Sequence, residues 1–404
     1  MGEGSAQEVT SSWLHSAVAP GGSADVTCET PGVRVLICPD KFAGTLTAVQ
    51  AAEAIAAGWS AVAPGDELVQ RPLADGGTGF LDVIAAAVGG DEIPVPATDP
   101  LGRPVAARVL VAGTTGYVES AQVCGLHLLA VEERDPRTTT SYGLGTLLAA
   151  AVESGVRQVV VGLGGSATND AGAGMLAALG APVLDAAGYA LPYGGAALTA
   201  AASLGGVPRL RDVQLVAACD VDNPLTGIHG ASAVFGPQKG ADRADVLLLD
   251  AALEHFAQVL QALPTCPPGL AALPGSGAAG GLGAALLALG GRLISGIGLV
   301  RELTGLDAAL DAADLVITGE GSFDAQSLRG KVVSGVAAGA RDRGLPCVVL
   351  AGQAGAGRRE AAAAGVTDVH TLVHHFGNVD DALARPAEGL SALARRLAGQ
   401  WSRT

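Results

Sequence analysis

The chain has 404 residues, of which 49% are hydrophobic, 3% aromatic and 16% charged, with 59 glycines and a formal net charge of -15 at pH 7. That length asks for about two domains, the glycine-rich and aromatic-poor composition favours an α/β protein with close helix packing, and acidity without any basic run argues against a nucleic-acid partner. The 6 cysteines are scattered, with no C-x-x-C pair, which fits a reduced compartment and places the protein in the cytoplasm.

Residues 1–32 carry acids early, lack a basic n-region and have no apolar run of signal-peptide length, so they read as a flexible N-terminal extension. VRVLICP (33–39) is a short apolar strand. It runs into a helix announced by Thr47 and Gln50, which have the spacing of a capping box, and carried by Val49, Ala52, Ile55, Ala56 and Trp59 on one face. A second helix follows ADGG, with Leu81, Ile84, Ala85 and Val88 on one side. From residue 93 the texture changes to Pro, Gly and alternating apolar residues, the pattern of a hairpin or meander.

A helix over TTSYGLGTLLAAAVESG, a strand in RQVVVGL and a strand in VQLVAACD come next. Residues 278–300 are apolar over enough length to span a bilayer, but Arg292 and the many glycines argue for a buried helix followed by a loop. Near the end, ADLVIT (313–318), the loop GEGSFDAQSLRG, the helix KVVSGVAAGARDRG and the strand PCVVLAGQ (346–353) form a βαβ unit. The expected architecture is therefore two α/β lobes. A Rossmann-like or flavodoxin-like lobe is built from 33–92 and 274–404, a second α/β lobe is inserted as 93–273, and the active site lies in the cleft between them.

Polar residues directly after apolar strands sit at the rim of a sheet, and five loops qualify. They are PDKFAGT, LADGGTG, GGSATNDAGAG, ACDVDNPLTG with FGPQKGA, and TGEGSFDAQSLRGK. Each alone could be a turn. Together they would bring Asp40, Asp75, Asp170, Asp220, Asp222, Glu320 and Asp324 to one cleft. Such a cluster needs a cation or lysines, for which Lys41, Lys239, Arg329 and Lys331 could serve. Glycine beside Asn169 and Asp170 offers main-chain N–H groups to an anion, and a carboxylate there asks for a divalent cation with it. Several sharper patterns fail. DVDN lacks the Gly and Glu of a calcium loop, Gly330-Lys331 is followed by Val332 so there is no Walker-type P-loop, TGEGSFDA puts Asp324 where a third dinucleotide-loop glycine belongs, and no G-x-S-x-G occurs.

The strings ICPDKFAGTLTA, PLADGGTGFLDV, RDPRTTTSYGLG, GLGGSATNDAGAGMLAALG, ACDVDNPLTG, GASAVFGPQKGA, PGSGAAGGLGA and DLVITGEGSFDAQSLRGKV resemble, in this order, the bacterial glycerate kinases of the two-domain α/β type. The resemblance runs from about Val33 to about Gln353. It implies ATP- and Mg²⁺-dependent phosphorylation of D-glycerate, most often at the 2-hydroxyl, with phosphorylation at the 3-hydroxyl or of a related hydroxy acid as alternatives. A homodimer stays open, and neither a membrane nor a nucleic acid is expected as partner. This chain departs from the commoner family pattern by PDKFAGT for PDSFKGS, by Thr78 for an acid and by Ser322 for a basic residue. The usual lysine position is thus Ala43, and Lys41 is the lysine this loop carries.

Phosphoryl transfer asks mainly for positioning and charge neutralisation. On this reading Asp170 or Asp220 holds Mg²⁺ or accepts the hydroxyl proton, with Asp222 a further metal candidate, and Lys41 and Lys239 meet the γ-phosphoryl charge. Gly164, Gly165, Ser166, Gly275, Gly277, Gly280, Gly281 and Glu320 are assigned to the nucleotide. Asp40, Asp75, Asn169, Asn223, Asp324, Arg329 and Lys331 are assigned to the acceptor, with Arg329 or Lys331 pairing its carboxylate. A nicotinamide-dependent oxidoreductase and a non-enzymatic sugar-acid binding protein are the rival classes, the first disfavoured by the failed dinucleotide pattern.

Overall fold

Runs of Val, Ile and Leu set the scaffold. In the computed structural model, which describes Met1 and residues 32–402 except 43, 211, 325–326 and 329–331, two sheets carry these runs. The strands are β1 (Arg34–Ile37), β2 (Glu67–Gln70), β3 (Asp91–Thr98), β4 (Pro104–Ala112), β5 (Thr115–Glu119), β6 (Gln158–Gly162), β7 (Val183–Leu184), β8 (Ser203–Leu204), β9 (Gln214–Ala218), β10 (Arg292–Ile294), β11 (Leu315–Phe323), β12 (Cys347–Ala354) and β13 (Asp368–Thr371). The N-terminal extension expected at the start, Ala43, Arg329 and Lys331 lie outside the described residues.

The first sheet is parallel throughout, in the order β13-β12-β11-β1-β2. Parallel strands are covered on both faces, which is why β1 and β11 read as unbroken apolar runs. Val35 and Ile37 face one way, against Ile55 and Trp59 of the helix Ala48–Ser60 and Leu393 of the helix Pro386–Trp401. Leu36 and Val316 face the other way, against Val333 and Val336 of the helix Val332–Asp342. The crossovers leaving the adjacent strands β1 and β11 therefore take opposite faces, and a crevice opens between their carboxyl ends. The expected capping box forms: Gln50 N donates to Thr47 Oγ1 at 3.1 Å and Thr47 N donates to Gln50 Oε1 at 3.0 Å.

The second sheet runs β10-β9-β6-β5-β4-β3, with β3, β4 and β5 an antiparallel meander and the rest parallel. The change of texture at residue 93 marks that meander, while the sheet continues past residue 273 to β10. One apolar cluster joins the sheets: Leu36 and Val316 of the first share it with Leu110, Tyr117, Val160 and Val216 of the second, through Phe80, Ile84, Val300 and Leu306.

Two stretches differ from expectation. The loop expected after Thr318 is still strand, since Gly319–Phe323 continue β11 in register with Leu350–Ala354. Side chains there are aimed by the sheet rather than by a turn. The apolar stretch 278–300 is cut into a helix Ala278–Ala288, the strand β10 and the beginning of a helix Gly296–Thr304, because Gly290 turns the chain at φ +80°. Among the described residues no helix is long and apolar enough to cross a membrane.

Candidate active site

At the carboxyl end of β1 the chain stays tied to β11, Cys38 N donating to Ile317 O and Asp40 N to Gly319 O, both at 2.8 Å. This fixes Asp40 and Lys41 at the crevice. Asp40 is only 7% exposed, and burial pushes its carboxyl up to about 6 against the opposing pull of Lys41. Lys41 Nζ lies 3.6 Å from Asp40 Oδ1 and 3.6 Å from Asp75 Oδ1. Burial works against its charge, yet the two aspartates outweigh that and hold the ammonium above the ordinary lysine value. It is a charged lysine at the wall of a cavity of about 410 Å³, which Asp75, Glu320, Ser322 and Asp324 also line. The far wall, made by Leu372, Val373, Leu383 and Pro386, is apolar.

Asp75 comes from the loop before the helix Phe80–Val88 and accepts from Gly77 N at 3.1 Å. Asp220, at the end of β9, accepts from Ser295 Oγ at 2.7 Å and Ile297 N at 2.9 Å. Burial raises its pKa, the Ser295 and Ile297 hydrogen bonds oppose that, and the charge of Asp75 raises it further, so the two carboxylates share a neighbourhood. Asp222 is exposed on the same loop, and Asn223 Nδ2 donates to His229 O at 2.8 Å. The structure thus gathers Asp40, Lys41, Asp75, Glu320 and Asp324 around one cavity, and Asp220 lies near enough to Asp75 to feel its charge.

The GGSATNDAGAG loop behaves differently from expectation. Asp170 is 0% exposed. Its Oδ2 accepts from Ser141 N and Ser141 Oγ at 2.9 Å each and from Gly174 N at 3.2 Å, and its Oδ1 accepts from Gly172 N at 3.1 Å. Burial raises its pKa and these four donors oppose the rise. Sealed and held by that many donors, Asp170 has a structural task. It joins the starts of the helices Tyr142–Glu153 and Ala173–Ala178.

Lys239, expected to meet phosphate, is 2% exposed. Its Nζ donates to Thr168 O at 2.7 Å and Ser166 Oγ at 3.0 Å. Burial lowers its pKa to about 7, with Asp170 pulling the other way. Asn169 is equally sealed and donates to Ser232 Oγ at 2.9 Å. Lys239, Ser166 and Asn169 hold the loop from inside.

The glycines have the same explanation. A Cβ on Gly164 would stand 2.7 Å from Gly77 Cα, and a Cβ on Gly280, whose φ is +71°, would collide with the carbonyl oxygen of Thr168. These loops approach each other backbone to backbone, and only glycine permits it. Gly277 N donates to Asn223 O at 3.0 Å, and Gly280 O accepts from Ala171 N at 3.0 Å. Gly281 packs on Ala171, Gly275 on Leu293, and Gly165 O accepts from Leu126 N at 2.8 Å. The glycine loops thus serve loop packing.

A second cavity, of about 440 Å³, shares Lys41 and Thr45 with the first and is otherwise lined by Thr78, Arg108, Gln122 and His127 among others. Sequence reasoning missed Arg108, Gln122 and His127, and also the apolar wall at 372–386, because none of them follows an apolar strand into a glycine loop. The only signal available for the wall was the amphipathic character of the C-terminal helices.

A profile of the glycerate kinase family matches residues 35–402. Glycerate kinase of Bacillus subtilis strain 168 is 42% identical over 374 residues, covering 91% of this chain and 97% of that protein. Glycerate 2-kinase of Escherichia coli K12 is 40% identical over 372 residues, covering 91% and 97%. A crystal structure assigned as a glycerate kinase 2 from Salmonella typhimurium LT2 superposes with a TM-score of 0.75 at 39% identity, covering 91% of this chain and 98% of that one.

Proposed function

The chain belongs to the glycerate kinase family, and on that premise we propose that it transfers the γ-phosphoryl group of ATP to D-glycerate at the 2-hydroxyl, with Lys41 as the central cation. The observation that carries this reading is the Asp40–Lys41–Asp75 cluster. A charged lysine whose two carboxylate neighbours stand at 3.6 Å, beyond hydrogen-bond length, keeps donors for a third anion. It sits where the crossovers of a parallel sheet diverge, the usual ligand position of this fold class.

The apolar wall of Leu372, Val373, Leu383 and Pro386 takes the adenine, and Glu320, Ser322 and Asp324 face the ribose from the end of β11. In the transfer, the bond between the γ-phosphorus and the β,γ-bridging oxygen breaks and ADP leaves with that electron pair. A new bond forms from the glycerate hydroxyl oxygen to phosphorus, and the hydroxyl proton passes to the carboxylate of Asp40. Lys41 Nζ follows the negative charge on the transferring group, a service of electrostatic preorganisation. A carboxyl titrating at about 6 is deprotonated at neutral pH and still basic enough to accept the proton.

Among the described residues no group of three or more His, Cys, Asp or Glu side chains is placed to hold a metal ion by itself. That suits Mg²⁺ arriving with the triphosphate, because such an ion keeps several waters and needs only one or two protein carboxylates. Asp220 and Asp75 fit that task. When bound, the ion neutralises phosphate charge in a cavity that would otherwise repel the nucleotide. A coupled ADP-release assay over D-glycerate and related hydroxy acids, with the phosphorylated position read by phosphorus NMR, tests the reading. ADP release with D-glycerate and a 2-phosphate product is expected, and no ADP release would overturn it.

A further inference from the structure

The cavity of about 440 Å³ beyond Lys41 has no part in the account above. It differs from its neighbour in chemistry. Where the first cavity ends in an apolar wall fit for a base, Leu46 is the one aliphatic side chain among the described residues lining the second, alongside Thr45, Thr78, Gln122 and His127. It is also built from both sheets. Lys41 and Thr45 come from the chain after β1, Arg108 from β4, and Gln122 and His127 from the segment following β5.

Two cations, Lys41 and Arg108, face this space. Its carboxylates are already engaged: Asp82 is paired with Arg108 Nη2, and Glu119 accepts from Gly79 N at 3.2 Å and Leu81 N at 3.1 Å. Arg108 Nε stands 3.1 Å from Glu92 Oε1, and the Arg108 side chain, 34% exposed, keeps part of its surface on the cavity. The wall around Arg108 is fixed, because Gln122 exchanges two hydrogen bonds of 3.0 Å with the backbone N and O of Arg108. A guanidinium and an ammonium beside carboxylates that already have partners, together with several hydroxyl-matching groups, is the chemistry that recognises a small polyhydroxy acid.

We propose that this cavity is the acceptor chamber: it takes a short hydroxycarboxylate, with the carboxylate towards Arg108, the reacting hydroxyl towards Lys41, and His127 on the remaining hydroxyl. The proposal rests on the kinase reading above. Nucleotide and acceptor then enter from opposite sides of Lys41, which lines both cavities, and the lysine meets the phosphoryl group at the wall between them. The chamber also accounts for Thr78, a departure from the family pattern, which faces it.

The test uses the purified full chain and separate KM values for D-glycerate and ATP, read by ADP release. Arg108→Gln removes the anchoring cation, and His127→Trp fills the chamber from an exposed position. Each is expected to raise the KM for D-glycerate at least about tenfold, roughly the loss of one charge-assisted hydrogen bond, with the KM for ATP within about twofold. Should Arg108→Gln fail to fold, His127→Trp decides alone. Unchanged KM values for the acid in active variants, or a rise confined to ATP, overturn the chamber and leave the kinase reading standing. Absence of ADP release by the unsubstituted protein with any short hydroxy acid overturns both.

Discussion

Lys41 and Lys239 both feel aspartate charge, yet their surroundings lead to opposite chemistry. Lys41 borders a cavity, has carboxylates at 3.6 Å and is held above its ordinary pKa. Lys239 is sealed, spends its donors on Thr168 O and Ser166 Oγ, and has its pKa lowered by burial to about 7. A lysine with spare donors facing a cavity can meet a ligand, whereas one whose donors are consumed inside the protein can only hold the loop. Identity of side chain and proximity of an acid do not distinguish the two. Access to an open cavity does.

The largest effect that would break this contrast is on turnover. Lys41→Ala should lower kcat by about 100- to 1000-fold, the usual consequence of losing a preorganised donor to transferring charge, while the melting temperature stays close to that of the parent. Near-normal kcat would erase the distinction between the lysines. Asp40→Asn should lower kcat/KM by about 100-fold and change the pH profile. With the carboxyl at about 6, the base is lost as pH falls through that value, so the parent shows a falling acid limb there and the variant shows none. An acid limb retained in Asp40→Asn would assign it to another group.

On the sealed side the expected losses are in stability. Asp170→Asn turns an amide NH₂ towards N–H donors and leaves at least one unpaired, costing about 2 kcal/mol, measured by urea unfolding, with near-normal turnover of the folded protein. A stable but inactive variant would return Asp170 to the chemistry. The smallest effect concerns Lys239. Its folded pKa lies below its unfolded value, so the unfolded chain binds more protons between about pH 7 and pH 10, and stability rises with pH in that window. One such group contributes up to about 1.4 kcal/mol per pH unit. Comparing urea midpoints at pH 7 and pH 8, Lys239→Met should lose that part of the slope, and an equal slope in both proteins would mean the buried lysine keeps its charge.

Local rules made much of the scaffold legible. The capping box of Thr47 and Gln50, the apolar runs of β1, β6, β9, β11 and β12, and the meander after residue 93 rest on neighbours a few residues apart, which a sequence displays. The same holds for Asp40 and Lys41, because the end of the buried strand β1 fixes where the next side chains stand. Gly319–Phe323 were read as loop since glycines signal turns, but pairing with β12 is a long-range contact that overrides that signal.

The sequence by itself determined which strands are buried, where helices begin and which loops carry charge, and through its ordered strings it placed the chain among the glycerate kinases. Only the tertiary structure decided which charges reach a cavity. Asp170 is sealed by Ser141 and Lys239 by Ser166 and Thr168, partners 29, 73 and 71 residues away, and Lys41 stays accessible because β1 is threaded between β2 and β11. Exposure of a charged group depends on what packs over it, and packing between residues so distant in the chain leaves no periodic trace along it.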